Sequence, residues 1–146
     1  MVDLSFQGPN ALTLDGKGRM TVPARHLAIL RTMEVHQLTI TKHPNGLLMV
    51  FPRPVWLTFR ARLNALPMEA ERWKRVFVGS AMDADIDATS RVLIAPELRK
   101  WAGIERDVML SGVGSHLELW DVARYDAFEA ETMKSGMPDT IKAFTF

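Results

Sequence analysis

The chain has 146 residues, 47% of them hydrophobic and 24% charged, and no cysteine. These values describe one compact domain, or two very small intertwined ones, and exclude a disordered chain, a disulfide scaffold and a thiolate metal site. The net charge of +1 hides a division: residues 1–75 carry +6 and residues 76–146 carry −5, which either suits a polyanionic partner for the first half or solvates helix faces.

In chain order, the first ten residues lack the basic start and apolar core of a secretory leader. No later run approaches the roughly 18 apolar residues of a membrane helix. A soluble, cytoplasmic protein without a membrane partner is expected. Leu12 and Leu14 then alternate with polar or small residues, the period of a strand with one buried face. A polar turn follows: Leu14-Asp15-Gly16-Lys17-Gly18-Arg19-Met20-Thr21-Val22-Pro23. It recurs, altered, as Ile86-Asp87-Ala88-Thr89-Ser90-Arg91-Val92-Leu93-Ile94-Ala95-Pro96, with the aspartates 72 residues apart and the arginines 72 apart. An internal repeat decides architecture, so one supersecondary unit is used twice.

Pro23 and Pro96 each open a short helix, where a missing N–H is not needed. Leu38–Thr41 and Leu47–Phe51 read as a hairpin around His43-Pro44-Asn45-Gly46, and Val108–Leu110 and His116–Trp120 as its counterpart around Ser111–Ser115. Phe51, Trp56 and Phe59 match Trp120, Tyr125 and Phe128 at an offset of 69. Residues 54–66 place Val55, Trp56, Phe59, Leu63 and Leu66 on one helical stripe, and Pro67 closes that helix. Residues 69–78 predict a second amphipathic helix with Trp73, Val76 and Phe77 inward and Gly79 as its cap. Before the second turn, Met82, Ala84 and Ile86 form the buried face of a strand whose exposed face is Asp83, Asp85 and Asp87. Residues 136–146 either dock on a neighbour or fray. The organisation is therefore a first repeat over 9–55, a helical connector over 56–79, a second repeat over 80–125 and a C-terminal helix and tail over 126–146.

The polar turn carries the candidate chemistry. Gly16 and Gly18 free the backbone for positive φ, and Asp15 can accept bonds from turn N–H groups. Lys17 and Arg19 alternate, so they are expected to project at the tip and base of the loop. Arginine on such a turn suits bidentate contact to guanine or phosphate. An ordinary turn with solvated cations, or a structural Asp–Arg pair in each repeat, would use the same residues. Catalysis finds no support: there is no Walker loop, no Gly-x-Ser-x-Gly elbow and no nucleophile–base pair. His26, His36, His43 and His116 lie at no metal-ligand spacing. No metal, cofactor or enzymatic activity is expected.

These residues resemble the MraZ family, bacterial transcriptional regulators with a tandem SpoVT-AbrB (swapped-hairpin) fold. The resemblance runs through Phe6-Gln7-Gly8, the Leu14–Pro23 turn, His43-Pro44, Phe51-Pro52-Arg53-Pro54-Val55-Trp56, Arg91–Arg99, Val108-Met109-Leu110 and Leu117–Asp121. It implies an α+β fold, mainly β, of two AbrB-like β-barrel units about a pseudo-twofold. It also implies a nucleoid-associated regulator of a cell-division and cell-wall gene cluster, binding G-rich direct repeats in double-stranded DNA and controlling its own operon. The implied assembly is a ring-like homo-oligomer of about eight to twelve subunits. Carried onto this chain, DNA contact falls to Lys17 and Arg19, and loop shape to Asp15, Gly16 and Gly18. Arg91 is an auxiliary contact or an interface ion pair. Thr89 and Ser90 depart from the family's lysine and glycine. A non-glycine at positive φ costs about 1 kcal/mol, so the second loop is expected to differ in shape and to leave most of the DNA contact to the first. The alternative reading is an interaction module of the same fold that binds protein instead of DNA.

Overall fold

The computed structural model describes residues 3–144. Eight strands and six α-helices follow the doubled order: β1 (Phe6–Thr13), β2 (Arg19–Thr21), α1 (Ala24–Thr32), β3 (Gln37–His43), β4 (Leu47–Pro52), α2 (Arg53–Asn64) and α3 (Glu71–Phe77). The second set is β5 (Met82–Asp85), β6 (Arg91–Leu93), α4 (Pro96–Trp101), β7 (Asp107–Gly114), β8 (Leu117–Asp121), α5 (Val122–Ser135) and α6 (Asp139–Lys142).

The first strand of each repeat joins the hairpin of the other. β1 pairs along its whole length with β7, from Phe6↔Gly114 to Thr13↔Asp107, and β5 pairs with β3. The sheet order is β1-β7-β8-β4-β3-β5, all neighbours antiparallel. β2 and β6 form a separate ribbon centred on Met20↔Val92. Those two residues are repeat equivalents, so their pairing marks the pseudo-twofold, and both are buried. The swapped-hairpin, mainly-β α+β fold is therefore present. The barrel form is corrected: the six-stranded sheet stays open, because its edge strands β1 and β5 are not paired with each other.

Alternation along β4 explains how the layers form. Leu48 and Val50 point into a large core shared by both repeats, which includes Leu14, Leu38, Val92, Ile94 and Leu119. Met49 and Phe51 point the other way, into a smaller cluster closed by Trp56, Phe59 and Phe77. β4 is central, covered on both faces, and buried at every position.

Three expectations about faces and one about a helix cap are corrected. Leu66 and Trp73 are exposed, not inward. The connector breaks into α2, a 3₁₀ turn at Met68–Ala70, and α3; Val55, Trp56, Phe59 and Phe77 still pack inward, whereas Leu66 and Trp73, on either side of that turn, do not. Met82 is exposed because β5 is a short edge strand. Gly79 lies outside the left-handed region and is no C-cap; α3 ends at Val78 in helical conformation. In the tail, α6 and its surroundings are exposed through residue 144, and residues 145–146 lie outside the described chain.

Candidate nucleic-acid interface

The β1–β2 turn is built around one carboxylate. Asp15 Oδ1 accepts bonds from the backbone N–H of Lys17 and of Arg19, both at 2.9 Å, and Oδ2 accepts from Arg19 Nε at 2.7 Å. Backbone bonds close the loop: Asp15 N–H donates to the Arg19 carbonyl (3.0 Å) and Gly18 N–H to the Asp15 carbonyl (2.9 Å). Gly18 takes φ 81°, and Gly16 stands in open space. The backbone N–H of Arg19 is the main cause that draws the Asp15 carboxyl from its ordinary 3.8 down to about 2, with the Arg19 side chain and the Lys17 N–H adding to it against some desolvation. Because the folded value lies below the ordinary one, Asp15 supports the loop in full above pH 3.8, and that support is lost as pH falls toward 2.

The second turn repeats this bonding. Asp87 Oδ1 accepts from the N–H groups of Thr89 and Arg91, both at 2.9 Å, and Oδ2 from Arg91 Nε at 3.3 Å. Asp87 N–H donates to the Arg91 carbonyl and Ser90 N–H to the Asp87 carbonyl, each at 2.9 Å. The Arg91 N–H likewise lowers the Asp87 carboxyl. Ser90 adopts φ 65° where Gly18 has 81°. The expectation of a differently shaped second loop is therefore corrected: Ser90 accepts the strained conformation, and the hydrogen-bonded frame holds it there.

The two turns meet at the pseudo-twofold. Val22 N–H donates to the Ser90 carbonyl (2.8 Å), and its equivalent Ile94 N–H donates to the Gly18 carbonyl (3.0 Å). Arg91 also reaches across, with a guanidinium nitrogen 3.8 Å from Asp15 Oδ2. Arg91 is thus spread over both aspartates.

The cations are not arranged as the alternation suggests. Lys17 is exposed, with no side-chain partner among the described residues. Arg19 does not project freely; its Nε edge is tied back to Asp15, with the side chain 30% exposed. Its terminal nitrogens have no hydrogen-bond partner among the described residues, and its Nε–Oδ2 contact is an Asp–Arg pair that recurs at Arg91–Asp87. A third cation went unread in the sequence. Arg99 on α4 bonds the Ile94 carbonyl through Nε (2.9 Å) and lies over Gly18, where an added Cβ would sit 2.5 Å from the guanidinium carbon. The repeat equivalent of Arg99 is Leu27, and the replacement of an apolar helix residue by a cation is the signal that could have exposed it. The first turn therefore gathers Lys17, Arg19 and Arg99, whereas the second has Thr89, Arg91 and Leu27.

No other constellation competes. Among the described residues no group of three His, Cys, Asp or Glu side chains could hold a metal ion. Asp83 pairs with Arg53 at 2.7 Å and Asp85 accepts from Gln37 at 2.9 Å. His116 stacks on Phe51, His43 Nδ1 accepts from Asn45 N–H, and His26 is buried. No helix among the described residues is long and apolar enough to cross a membrane.

The doubled turn, its swapped sheet and the chain's similarity to known proteins agree. A family model described as "MraZ protein, putative antitoxin-like" matches twice, over residues 5–76 and 77–144. The chain belongs to the MraZ family. The transcriptional regulator MraZ of Leptothrix cholodnii is 58% identical over 146 residues, 100% of both chains. That of Methylibium petroleiphilum is 57% identical over 146 residues, again 100% of both. That of Ralstonia pickettii is 57% identical over 141 residues, 97% of this chain and 99% of the relative. The family role carried by these names is transcription regulation, which is not enzymatic.

Proposed function

We propose that this protein regulates transcription by binding double-stranded promoter DNA through its first turn. The observation that carries this reading is the exposed Lys17 beside a guanidinium, Arg19, that Asp15 holds in a fixed orientation. Arg19 reads a guanine edge with its two terminal nitrogens, and Lys17 meets a phosphate. Asp15, Gly16 and Gly18 keep the loop in shape. Arg91, occupied by Asp87 and Asp15, is auxiliary.

Valence sets the mechanism. One turn reads about one guanine, and a good bidentate pair supplies about 1–3 kcal/mol of discrimination. That is too little for a regulator acting through a single subunit. Identical turns on a ring-like homo-oligomer, facing evenly spaced G-rich repeats, raise avidity by about 10²–10⁴. The protein then represses its own cell-division and cell-wall operon by occupying several boxes together, in the cytoplasm at the nucleoid.

The test is a mobility shift with repeat-bearing DNA across a salt series, with light scattering on the same samples. Lys17→Ala is expected to weaken binding on every sequence and to reduce the log–log salt slope by about 1. Arg19→Ala is expected to abolish box preference with assembly intact. Unaltered shifts for both variants remove the first turn from the interface. Salt-independent or absent DNA binding by the wild type would favour the protein-interaction reading.

A further inference from the structure

Three arginines of this fold lie against a glycine, and they differ in how their guanidinium groups are used. A Cβ added at Gly8 would sit 2.8 Å from a terminal nitrogen of Arg25, and one added at Gly103 would sit 2.9 Å from the Arg124 guanidinium carbon. Both arginines spend terminal nitrogens inside the protein. Arg25 donates to the Pro9 carbonyl (2.7 Å) and the Asn10 side chain (2.6 Å), and Arg124 donates to the Gly46 carbonyl (3.1 Å). Arg99, which lies against Gly18, does not. Its Nε donates to the Ile94 carbonyl, and its terminal nitrogens have no partner among the described residues.

The contact with Gly18 separates the two turns. Ile94 holds both partners: its N–H donates to the Gly18 carbonyl, and its own carbonyl accepts from Arg99. In the other turn Val22 N–H donates to the Ser90 carbonyl, but Leu27 stands where Arg99 does. Ser90 keeps a side chain at φ 65°, so the left-handed backbone alone does not demand glycine. At Gly18 the guanidinium fills the space of a Cβ. Glycine there admits a cation to the turn. That cation is half-buried and held by one edge, so little of its freedom is left to lose when an anion arrives. We infer that Arg99 clamps a DNA phosphate beside the guanine that Arg19 reads. The kind of contact follows from its place. Arg99 belongs to α4 and reaches the turn at Gly18, the neighbour of Arg19, instead of standing on the tip. A fixed cation at the flank of a reading residue meets the backbone and sets the register of that residue. Two free terminal nitrogens suit the paired oxygens of a phosphate. This rests on the DNA-binding reading above and adds to it a residue from the second repeat.

The experiment measures fluorescence anisotropy of full-length protein on labelled repeat-bearing DNA and on a scrambled duplex, across a salt series, with Lys17→Ala alongside. Arg99→Leu copies the residue of the other repeat, and Arg99→Gln is a second neutral variant. Circular dichroism and light scattering select those that keep the wild-type fold and assembly. Each is expected to lower the log–log salt slope by about 1 on both duplexes, as Lys17→Ala does, and to keep the preference for the boxes. Arg99→Lys retains the charge and is expected to restore the slope, which a purely structural arginine would not require. An unaltered slope in the neutral variants, with Lys17→Ala still effective, overturns the phosphate contact and leaves the DNA-binding reading standing. If Lys17→Ala is without effect as well, both fall. Box preference lost in Arg99→Leu and not regained in Arg99→Lys puts the guanidinium on a base edge and overturns the assignment to phosphate. Melting curves test the contact with Gly18 separately. Gly18→Ala is expected to lower the midpoint more in the wild type than in the Arg99→Leu background. Equal shifts would show that the guanidinium is not what excludes a side chain there, and would overturn the pairing.

Discussion

Gly18 and Ser90 occupy equivalent left-handed positions with different side chains, so the repeat carries its own control. Only glycine takes that backbone conformation without a penalty from Cβ, and the penalty is about 1–2 kcal/mol. Ser90→Gly is expected to stabilise the protein by about 0.5–1 kcal/mol, seen as a rise of about 2–3 °C in melting temperature. Gly18→Ala is expected to cost at least as much as Ser90→Gly gains, and to weaken DNA binding as well. Its Cβ meets the Arg99 guanidinium and must displace it. His26 presents another residue-scale case. Its ring is buried against Phe6 at 5.8 Å, and neither ring nitrogen has a hydrogen-bond partner among the described residues. Burial, with the Arg25 charge adding to it, lowers its pKa below 6.5. The unfolded chain therefore binds the proton first, and stability falls as pH drops below 6.5. His26→Leu is expected to remove that part of the acid sensitivity in melting curves recorded between pH 7 and 5, and to leave stability at pH 7 equal or higher, since an unpaired buried polar group costs about 1–3 kcal/mol.

At the scale of elements, the exchange of first strands governs what can fold alone. β1 finds its partner in β7, and β2 finds its partner in β6, so the first repeat holds two strands that need the second. A fragment of residues 1–79 is expected to be incompletely folded as a monomer. Two copies can replace β6 by a second β2 across the former pseudo-twofold, so the fragment is expected to unfold cooperatively only as a dimer, with a midpoint that rises with concentration. A concentration-independent transition would show that the hairpin β3–β4 and α2 suffice. The same exchange explains the turns. Each is held from one side by its own aspartate and from the other by a backbone bond from the opposite repeat, which makes both rigid even though one lacks glycine.

For the whole molecule, the charge division takes on a spatial meaning. The first turn adds Arg99, borrowed from the second half, to its own Lys17 and Arg19, so the cationic site is assembled across the repeat boundary. If several subunits act together, DNA with one box is expected to bind at least about 10²-fold more weakly than DNA with three at the same salt. Mobility shifts on the two fragments measure this directly, and equal affinities would mean that a single turn supplies the binding energy.

The doubled unit, its turns and its hairpins were legible in the residues, because Asp15 and Asp87, Gly46, Pro23 and Pro96 act on the backbone within a few positions of themselves. The carboxylate at the centre of each loop was legible for the same reason. What the chain's order could not express was anything settled by distant neighbours. Periodicity showed that α3 has an apolar side, but packing took Phe77 into the cluster and left Trp73 half-exposed over it. Composition counted Arg99 with the acidic half, but packing set it over Gly18. Asp15 tied the Nε edge of Arg19 where alternation expected it to project, and the frame around Ser90 overrode a local preference worth about 1 kcal/mol. Local chemistry is written in short spacings, whereas the choice of strand partner, and of which side chain covers which face, depends on contacts that form only when the two halves interlock.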